Sequence, residues 1–110
     1  KYGADINQAD PEGNTPLCIA TGWEPNNKTV NLLLENGANV NHQNAQGDTA
    51  LHLAVRKGLV SNSFDIEIVR ALIEHGAALD VKDGKGQTPL DIAGLDTEIG
   101  KLLLEAGAEE

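Results

Sequence analysis

The stretch that decides the fold is Gly47-Asp48-Thr49-Ala50-Leu51, because the chain repeats it twice more in the same frame. The other two copies are Gly13-Asn14-Thr15-Pro16-Leu17 and Gly86-Gln87-Thr88-Pro89-Leu90. Their threonines lie 34 and then 39 residues apart. Self-similarity at this period indicates an array of short stacked units, each of which buries its apolar face against its neighbours.

A turn precedes each copy and a helix is predicted to follow it. Asp10-Pro11-Glu12-Gly13 has the residue order of a type I turn, and the frame from Asn or Asp to Gly returns at 44–47 and 83–86. Thr15, Thr49 and Thr88 are predicted to cap the first helix of each unit. Pro16 and Pro89 would take the first helical position, where a missing N–H costs nothing.

Each unit is predicted to contain two helices. The first would bury a Leu and a small Ala in every copy, and these are Leu17, Ala20, Leu51, Ala54, Leu90 and Ala93. The second has apolar residues at helical spacing, namely Val30, Leu33, Leu34, Val69, Leu72 and Ile73. Gly37, Gly76 and Gly107 follow the second helix, where a left-handed residue ends it.

Turn, Thr-Pro-Leu, two helices and Gly-Ala resemble the ankyrin repeat. The signature is fullest in Thr49-Ala50-Leu51-His52-Leu53-Ala54, which departs from it only at Ala50. The resemblance covers essentially the whole chain. It implies an all-α, L-shaped solenoid of stacked antiparallel helix pairs with projecting β-hairpin-like loops. It also implies binding of other proteins through the loop tips and the concave face of the first helices.

We divide the chain into a single ankyrin-repeat domain, 1–110. Residues 1–9 match the tail of a preceding repeat, which predicts upstream sequence and leaves targeting signals undecided. Repeat 1 spans 10–43, repeat 2 spans 44–82 and a terminal capping repeat spans 83–110. From Thr to the closing Gly the copies span 22, 27 and 19 residues, which indicates an insertion near 59–66 of repeat 2. Gly94 and Gly100 are expected to weaken the helices of the short last copy.

Composition narrows the class of function. Seventeen acidic against eight basic residues give a net charge of −9, which argues against binding of nucleic acid. The apolar runs are too short to insert into a membrane. Cys18 is the sole cysteine, so an internal disulfide is impossible, and a reducing compartment is expected. We therefore expect a monomer in the cytoplasm or the nucleus.

Cys18, His52 and Asp91 occupy the same position in three successive copies and together suggest a nucleophilic triad. Equivalent positions of packed helices lie about 8–10 Å apart, whereas a triad needs contacts of about 3 Å. Gly84-Lys85-Gly86-Gln87-Thr88 lacks the first glycine of a phosphate loop, and the three histidines have no common spacing. We predict no enzymatic activity, no catalytic residue, no metal and no cofactor.

The predicted partner-binding residues lie on the loop tips, at the end of one first helix and where the repeat pattern is interrupted. They are Pro11, Glu12, Asn14, Trp23, Gln43, Ala45, Gln46, Asp48, Arg56, Lys57, Phe64, Lys82 and Lys85. Trp23 either anchors a partner or covers helix ends, and Phe64 either packs inward or contacts a partner. Arg56, Lys57, Lys82 and Lys85 either form a basic strip that favours an acidic partner or are simply solvated.

These features favour a protein–protein interaction module, an adaptor or scaffold whose partner is another protein. Two alternatives remain open at this point. One is a regulatory ankyrin domain of a larger enzyme, channel or transcription regulator. The other is a segment of a secreted bacterial effector.

Overall fold

The computed structural model describes residues 6–22, 26–61 and 65–108. Six helices lie in these ranges: α1 (Pro16–Gly22), α2 (Asn27–Glu35), α3 (Ala50–Ser61), α4 (Asp65–Glu74), α5 (Pro89–Ala93) and α6 (Glu98–Ala106). No strand is assigned within the same ranges. The predicted all-α fold is confirmed.

The helices form three pairs that stack in two layers. Within a pair, α1 packs on α2, α3 on α4, and α5 on α6. Between pairs, α3 lies between α1 and α5 in the first-helix layer, and α4 lies between α2 and α6 in the second-helix layer. Each pair thus contacts its sequence neighbours, as expected for a repeat array. None of the helices in the described ranges has the length and apolar character needed to cross a bilayer.

The predicted caps begin all three first helices. The Thr88 hydroxyl accepts a hydrogen bond from the Asp91 N–H, and the Asp91 carboxylate accepts one from the Thr88 N–H. This reciprocal pair is a capping box, which satisfies two N–H groups that the helix leaves unpaired. Thr15 and Thr49 accept in the same way from the N–H three residues later, at 3.4 and 3.3 Å.

The second helices begin and end on short polar or glycine residues. Asn26 caps α2 and Thr97 caps α6 through their side-chain oxygens, two caps that the repeat pattern did not indicate. Gly37, Gly76 and Gly107 have φ angles of 91°, 91° and 114°, which confirms the predicted left-handed ends.

The core runs along the interface between the two layers. All six predicted first-helix residues are buried, and so are Val30, Leu34, Val69 and Leu72 of the second helices. Leu33 and Ile73 pack against this core while staying partly exposed. Burying one such aliphatic side chain stabilises the fold by about 1.5–3 kcal/mol, so the repeated Leu positions hold the stack together.

The repeats differ in the lengths of their first helices. Helix α3 has 12 residues, whereas α1 has 7 and α5 has 5. The extra residues of repeat 2 therefore lengthen its first helix as far as Ser61, instead of forming a loop over the whole of 59–66. Helix α5 ends at Gly94, which has a φ of 80°.

Gly100 has a different role from the one we expected. It lies in α6 and packs against Gly94, the residue that follows the C-terminus of α5. A Cβ at position 100 would overlap the Gly94 carbonyl oxygen. Close approach of the two backbones requires a residue without a side chain there. Gly100 is thus a packing residue rather than only a weak point of the helix.

Candidate functional site

Three turns of the same construction project from the first-helix layer, and we name them tip 1 (10–14), tip 2 (44–48) and tip 3 (83–87). Each begins with an Asn or Asp whose Oδ1 accepts hydrogen bonds from the N–H groups two and four residues later. The distances are 2.9–3.0 Å for Asp10, Asn44 and Asp83 alike. The first side chain of each tip therefore fixes the backbone of that tip.

Neighbouring tips are joined through their backbones. The Ala45 N–H donates to the Glu12 carbonyl at 3.0 Å, and the Gly84 N–H donates to the Gln46 carbonyl at 2.8 Å. A Cβ on Gly13 or on Gly47 would stand 2.8 or 2.6 Å from the backbone N of the next tip. The tips consequently form one continuous structure, which we call the tip ridge.

The structure places the predicted partner-binding residues that it describes in three environments. Pro11, Glu12, Gln43, Ala45, Gln46, Lys82 and Lys85 are exposed, while Arg56 and Lys57 are half-buried. Asn14 and Asp48 are buried, so they do not lie on the exposed surface of the tips where the sequence placed them. Trp23 and Phe64 lie outside the described residues, so their two alternatives stay predictions.

Asn14 is buried because it joins tip 1 to tip 2. The Asn44 amide donates to the Asn14 side-chain oxygen at 2.8 Å, and both residues are almost inaccessible to solvent. Two amides can bond directly, since each carries both donors and an acceptor.

At the equivalent positions of tips 2 and 3 the chain has two carboxylates, Asp48 and Asp83, which cannot bond to each other when ionised. Arg56 bridges them, with NH1 2.9 Å from Asp48 Oδ2 and NH2 2.6 Å from Asp83 Oδ2. The corresponding residue of α1 is Gly22, where no bridge is needed. The Arg56 charge is therefore compensated within the chain, and the basic strip stays a prediction for Lys57, Lys82 and Lys85.

The surroundings of the Asp83 carboxyl favour its ionised form. Burial raises its pKa, but hydrogen bonds from the N–H groups of Gln87 and Lys85, together with the charge of Arg56, outweigh that effect. The pKa of Asp83 consequently lies below its ordinary value of 3.8.

A polar pocket of about 240 Å³ opens between tips 2 and 3, and we name it the tip 2–3 pocket. Its lining residues are Gln46, Asp48, Arg56, Asp83, Lys85 and Gln87. Asp48 Oδ1 is buried beside it and accepts no hydrogen bond within the described part of the chain. A buried carboxylate oxygen without a donor is uncommon, because an unpaired buried polar group costs about 1–3 kcal/mol, and a charged one costs more.

An apolar groove of about 360 Å³ lies on the outer side of repeat 1, away from repeat 2. Its lining residues are Pro16, Ile19, Ala20, Asn26, Thr29 and Leu33. Ile19 is 40% exposed there, whereas Leu53, the matching residue of repeat 2, packs against Gly22 of the preceding helix. Sequence reasoning did not single out Ile19, although its register with Leu53 was available as a signal.

The three residues of the apparent triad each have a local partner. Cys18 Sγ accepts from the Thr15 hydroxyl at 3.5 Å, and Asp91 caps α5. His52 Nδ1 accepts from the Thr49 N–H at 3.1 Å, so its Nε2 carries the proton that is donated to the Gln87 carbonyl at 2.9 Å. That bond ties repeat 2 to tip 3.

Comparison with known proteins agrees with this architecture. The family model for ankyrin repeats in three copies matches residues 1–63 and 23–110. The chain belongs to the ankyrin repeat family. Ankyrin repeats generally serve as protein-interaction modules, which matches an array whose tips project in one row.

Relatives of the chain differ widely from one another. It is 42% identical to mouse Rabankyrin-5 over 83 residues, which cover 74% of the chain and 6% of that protein. It is 37% identical to the potassium channel AKT1 of Oryza sativa subsp. japonica over 83 residues, covering 74% of the chain and 8% of the channel. It is 36% identical to human SH3 and multiple ankyrin repeat domains protein 2 over 110 residues, covering 96% of the chain and 6% of that protein.

The chain thus spans less than a tenth of the length of these relatives. What they share with it is the ankyrin-repeat segment.

In the described ranges, no three His, Cys, Asp or Glu side chains are grouped so that they could hold a metal ion.

Proposed function

We propose that the chain is a protein–protein interaction module, an adaptor or scaffold, which binds its partner through the tip ridge and the adjacent first helices. The observation that carries this proposal is the backbone bonding between successive tips, which fixes the ridge while Pro11, Glu12, Ala45, Gln46 and Lys85 stay exposed. A surface that is ordered before binding loses less conformational entropy when it binds.

The absence of catalytic activity is part of the same proposal. Cys18, His52 and Asp91 are each engaged in capping or in contacts between repeats, which supports a structural role for all three. Ankyrin repeats are typically non-enzymatic, and the relatives include a channel and a protein named for its ankyrin repeats.

A charge-swap experiment tests the binding surface. Glu12→Lys with Lys85→Glu exchanges two exposed charges on the ridge and leaves the net charge unchanged. The matched control is Lys28→Glu with Glu35→Lys, both exposed on α2 in the second-helix layer. Partners are captured by crosslinking from the source cell and quantified by mass spectrometry for the wild type and both variants.

The ridge variant is expected to lose the specific partner, and the α2 variant is expected to retain it, with similar thermal unfolding midpoints for all three proteins. Loss of the partner in the α2 variant alone would place the binding surface on the second-helix layer and contradict the proposal.

A regulatory ankyrin domain within a larger protein is the second candidate. It is supported by the small fraction of each relative that the chain covers and by the potassium channel among them. An immunoblot of source cells with an antibody against this segment distinguishes the two. A single band near 11.6 kDa supports the stand-alone adaptor, and a much larger band supports the regulatory domain.

We also propose that the chain is monomeric and is located in the cytoplasm or nucleus, where a buried free thiol such as that of Cys18 stays reduced. Light scattering during size-exclusion chromatography tests the first point. Fluorescence imaging of the tagged protein in source cells tests the second.

A further inference from the structure

The tip 2–3 pocket holds an acceptor that the chain itself leaves unused. The Asp48 side chain is 9% exposed, and its Oδ2 is taken by Arg56. Its Oδ1 exposes less than 1 Å² and has no donor among the described residues. Because buried carboxylate oxygens are normally hydrogen-bonded, a group entering this pocket should bring an N–H or O–H.

The same pocket also holds unused donors. The Arg56 side chain is 39% exposed; its NH2 donates to Asp83 and its NH1 forms an ion pair with Asp48, which leaves other N–H groups of the guanidinium free. Lys85 is exposed, and its ammonium forms no ion pair within the described ranges. The lining of the pocket therefore combines free donors with one unused acceptor, which the surrounding side chains cover.

The charges in the pocket cancel, since two carboxylates face one guanidinium and one ammonium. A carboxylate guest would be repelled by Asp48 and Asp83, and a cationic guest would be repelled by Arg56 and Lys85. The best match is an uncharged group with a donor and an acceptor on separate atoms. A side-chain carboxamide has this form, whereas a hydroxyl must use one oxygen for both bonds.

We propose that the tip 2–3 pocket recognises a Gln or Asn side chain of the partner protein. The amide N–H₂ donates to Asp48 Oδ1, and the amide oxygen accepts from Arg56 or Lys85. Gln46 and Lys85 are exposed and make no side-chain hydrogen bond within the described part of the chain, so they can move aside as the guest enters. This recognition rests on the proposed function, since it requires a partner on the tip ridge.

Comparison with the junction between tips 1 and 2 explains why the unused acceptor lies between tips 2 and 3. There Asn44 donates directly to Asn14, so the acceptor that corresponds to Asp48 Oδ1 is already satisfied. Between tips 2 and 3 the Asp–Asp pair needs Arg56 as a bridge, and the bridge engages only one oxygen of Asp48.

Selection of a phage-displayed library of random peptides tests the proposal, with the whole chain as bait. Baits are the wild type, Asp48→Asn and the control Lys28→Ala, which changes an exposed residue of α2. The Asp48→Asn substitution keeps the shape of the side chain, and the amide oxygen can still accept from Arg56. The amide nitrogen turns the unused acceptor into a donor and leaves the pocket with one net positive charge.

Wild type and Lys28→Ala are expected to enrich Gln or Asn about tenfold at one peptide position, the discrimination given by one hydrogen bond to a charged group. Asp48→Asn is expected to enrich Asp or Glu at that position. Because the variant should gain a new preference, a folding defect cannot imitate the expected result.

Enrichment of charged or hydroxyl side chains by the wild type would overturn the carboxamide proposal and leave the interaction function intact. So would a Gln or Asn preference that Asp48→Asn leaves unchanged. Failure of every bait to select any peptide would count against the interaction function as well.

Discussion

Replacement of Arg56 by Ala tests the electrostatic account of the tip 2–3 junction most directly. The substitution removes the only guanidinium that bridges Asp48 and Asp83 among the described residues. Both carboxylates are then left nearly buried, with side-chain exposures of 9% and 2%, and they repel each other. Asp83 keeps the two backbone N–H bonds to its other oxygen, whereas Asp48 is left with no bond to its side-chain oxygens from any residue that the structure describes.

The magnitude follows from the contacts that are lost. A hydrogen bond to a charged group contributes about 1.5–3 kcal/mol, and breaking a fully buried ion pair costs about 3–5 kcal/mol. Since the Arg56 side chain is 39% exposed, solvent screens part of the interaction. We therefore expect Arg56→Ala to lower the free energy of unfolding by about 2–3 kcal/mol.

Urea unfolding of four proteins isolates the interaction as a mutant cycle. The proteins are the wild type, Arg56→Ala, Asp48→Asn with Asp83→Asn, and the triple variant. In the double-amide background the amide introduced at position 83 can donate to the one at position 48, just as Asn44 donates to Asn14. Removal of Arg56 should then cost less than about 1 kcal/mol, which gives a coupling energy of about 1 kcal/mol or more.

An equal cost of Arg56→Ala in the two backgrounds would refute the reasoning. It would mean that Arg56 stabilises the fold through its aliphatic stem rather than through charge. Unchanged denaturant slopes across the four proteins are the control that all of them unfold from similarly compact states.

Three further substitutions test other contacts that hold the array together. The pKa of Asp83 lies below its ordinary value of 3.8, so the ionised carboxylate stabilises the fold above pH 3.8 and this contribution is lost as the pH falls below that value. The urea midpoint of Asp83→Asn should therefore fall less steeply below pH 3.8 than the urea midpoint of the wild type. Parallel curves of midpoint against pH would contradict this. Gly100→Ala should destabilise the fold by about 1–3 kcal/mol, because the new Cβ would overlap the Gly94 oxygen despite the better helix propensity of Ala. The control is Lys101→Ala, which changes an exposed residue of the same helix. A thermal midpoint of Gly100→Ala at or above that of the wild type would disprove the clash. His52→Ala should cost about 2–4 kcal/mol in urea unfolding, since it leaves a cavity and breaks the bond to Gln87, and a loss under about 1 kcal/mol would show that this bond contributes little.

Much of the fold followed from local rules along the sequence. The caps at Thr15, Thr49 and Thr88 and the left-handed ends at Gly37 and Gly76 involve residues within about four positions of each other. Such features can be predicted because their partners are adjacent in the chain. The recurrence of these signals in register also predicted the stacked helix pairs.

The candidate site was predicted only in outline. Sequence placed Pro11, Glu12 and Gln46 correctly on exposed tips, because turn tips project from the helices. It also placed Asn14 and Asp48 on that surface, yet both are buried at contacts between tips. Their partners, Asn44 and Arg56, belong to another tip or to the helix that follows, and no local rule identifies such pairs.

The sequence by itself determined that this protein is an array of ankyrin repeats, since each repeat is specified by its own turn, caps and small residues. The tertiary structure decided what happens between repeats: the Asn14–Asn44 bond, the Arg56 bridge and the close approach at Gly100. The physical reason is distance along the chain. Contacts between tips depend on how two separately folded units align, and the charge and shape that meet there exist only once the units have stacked.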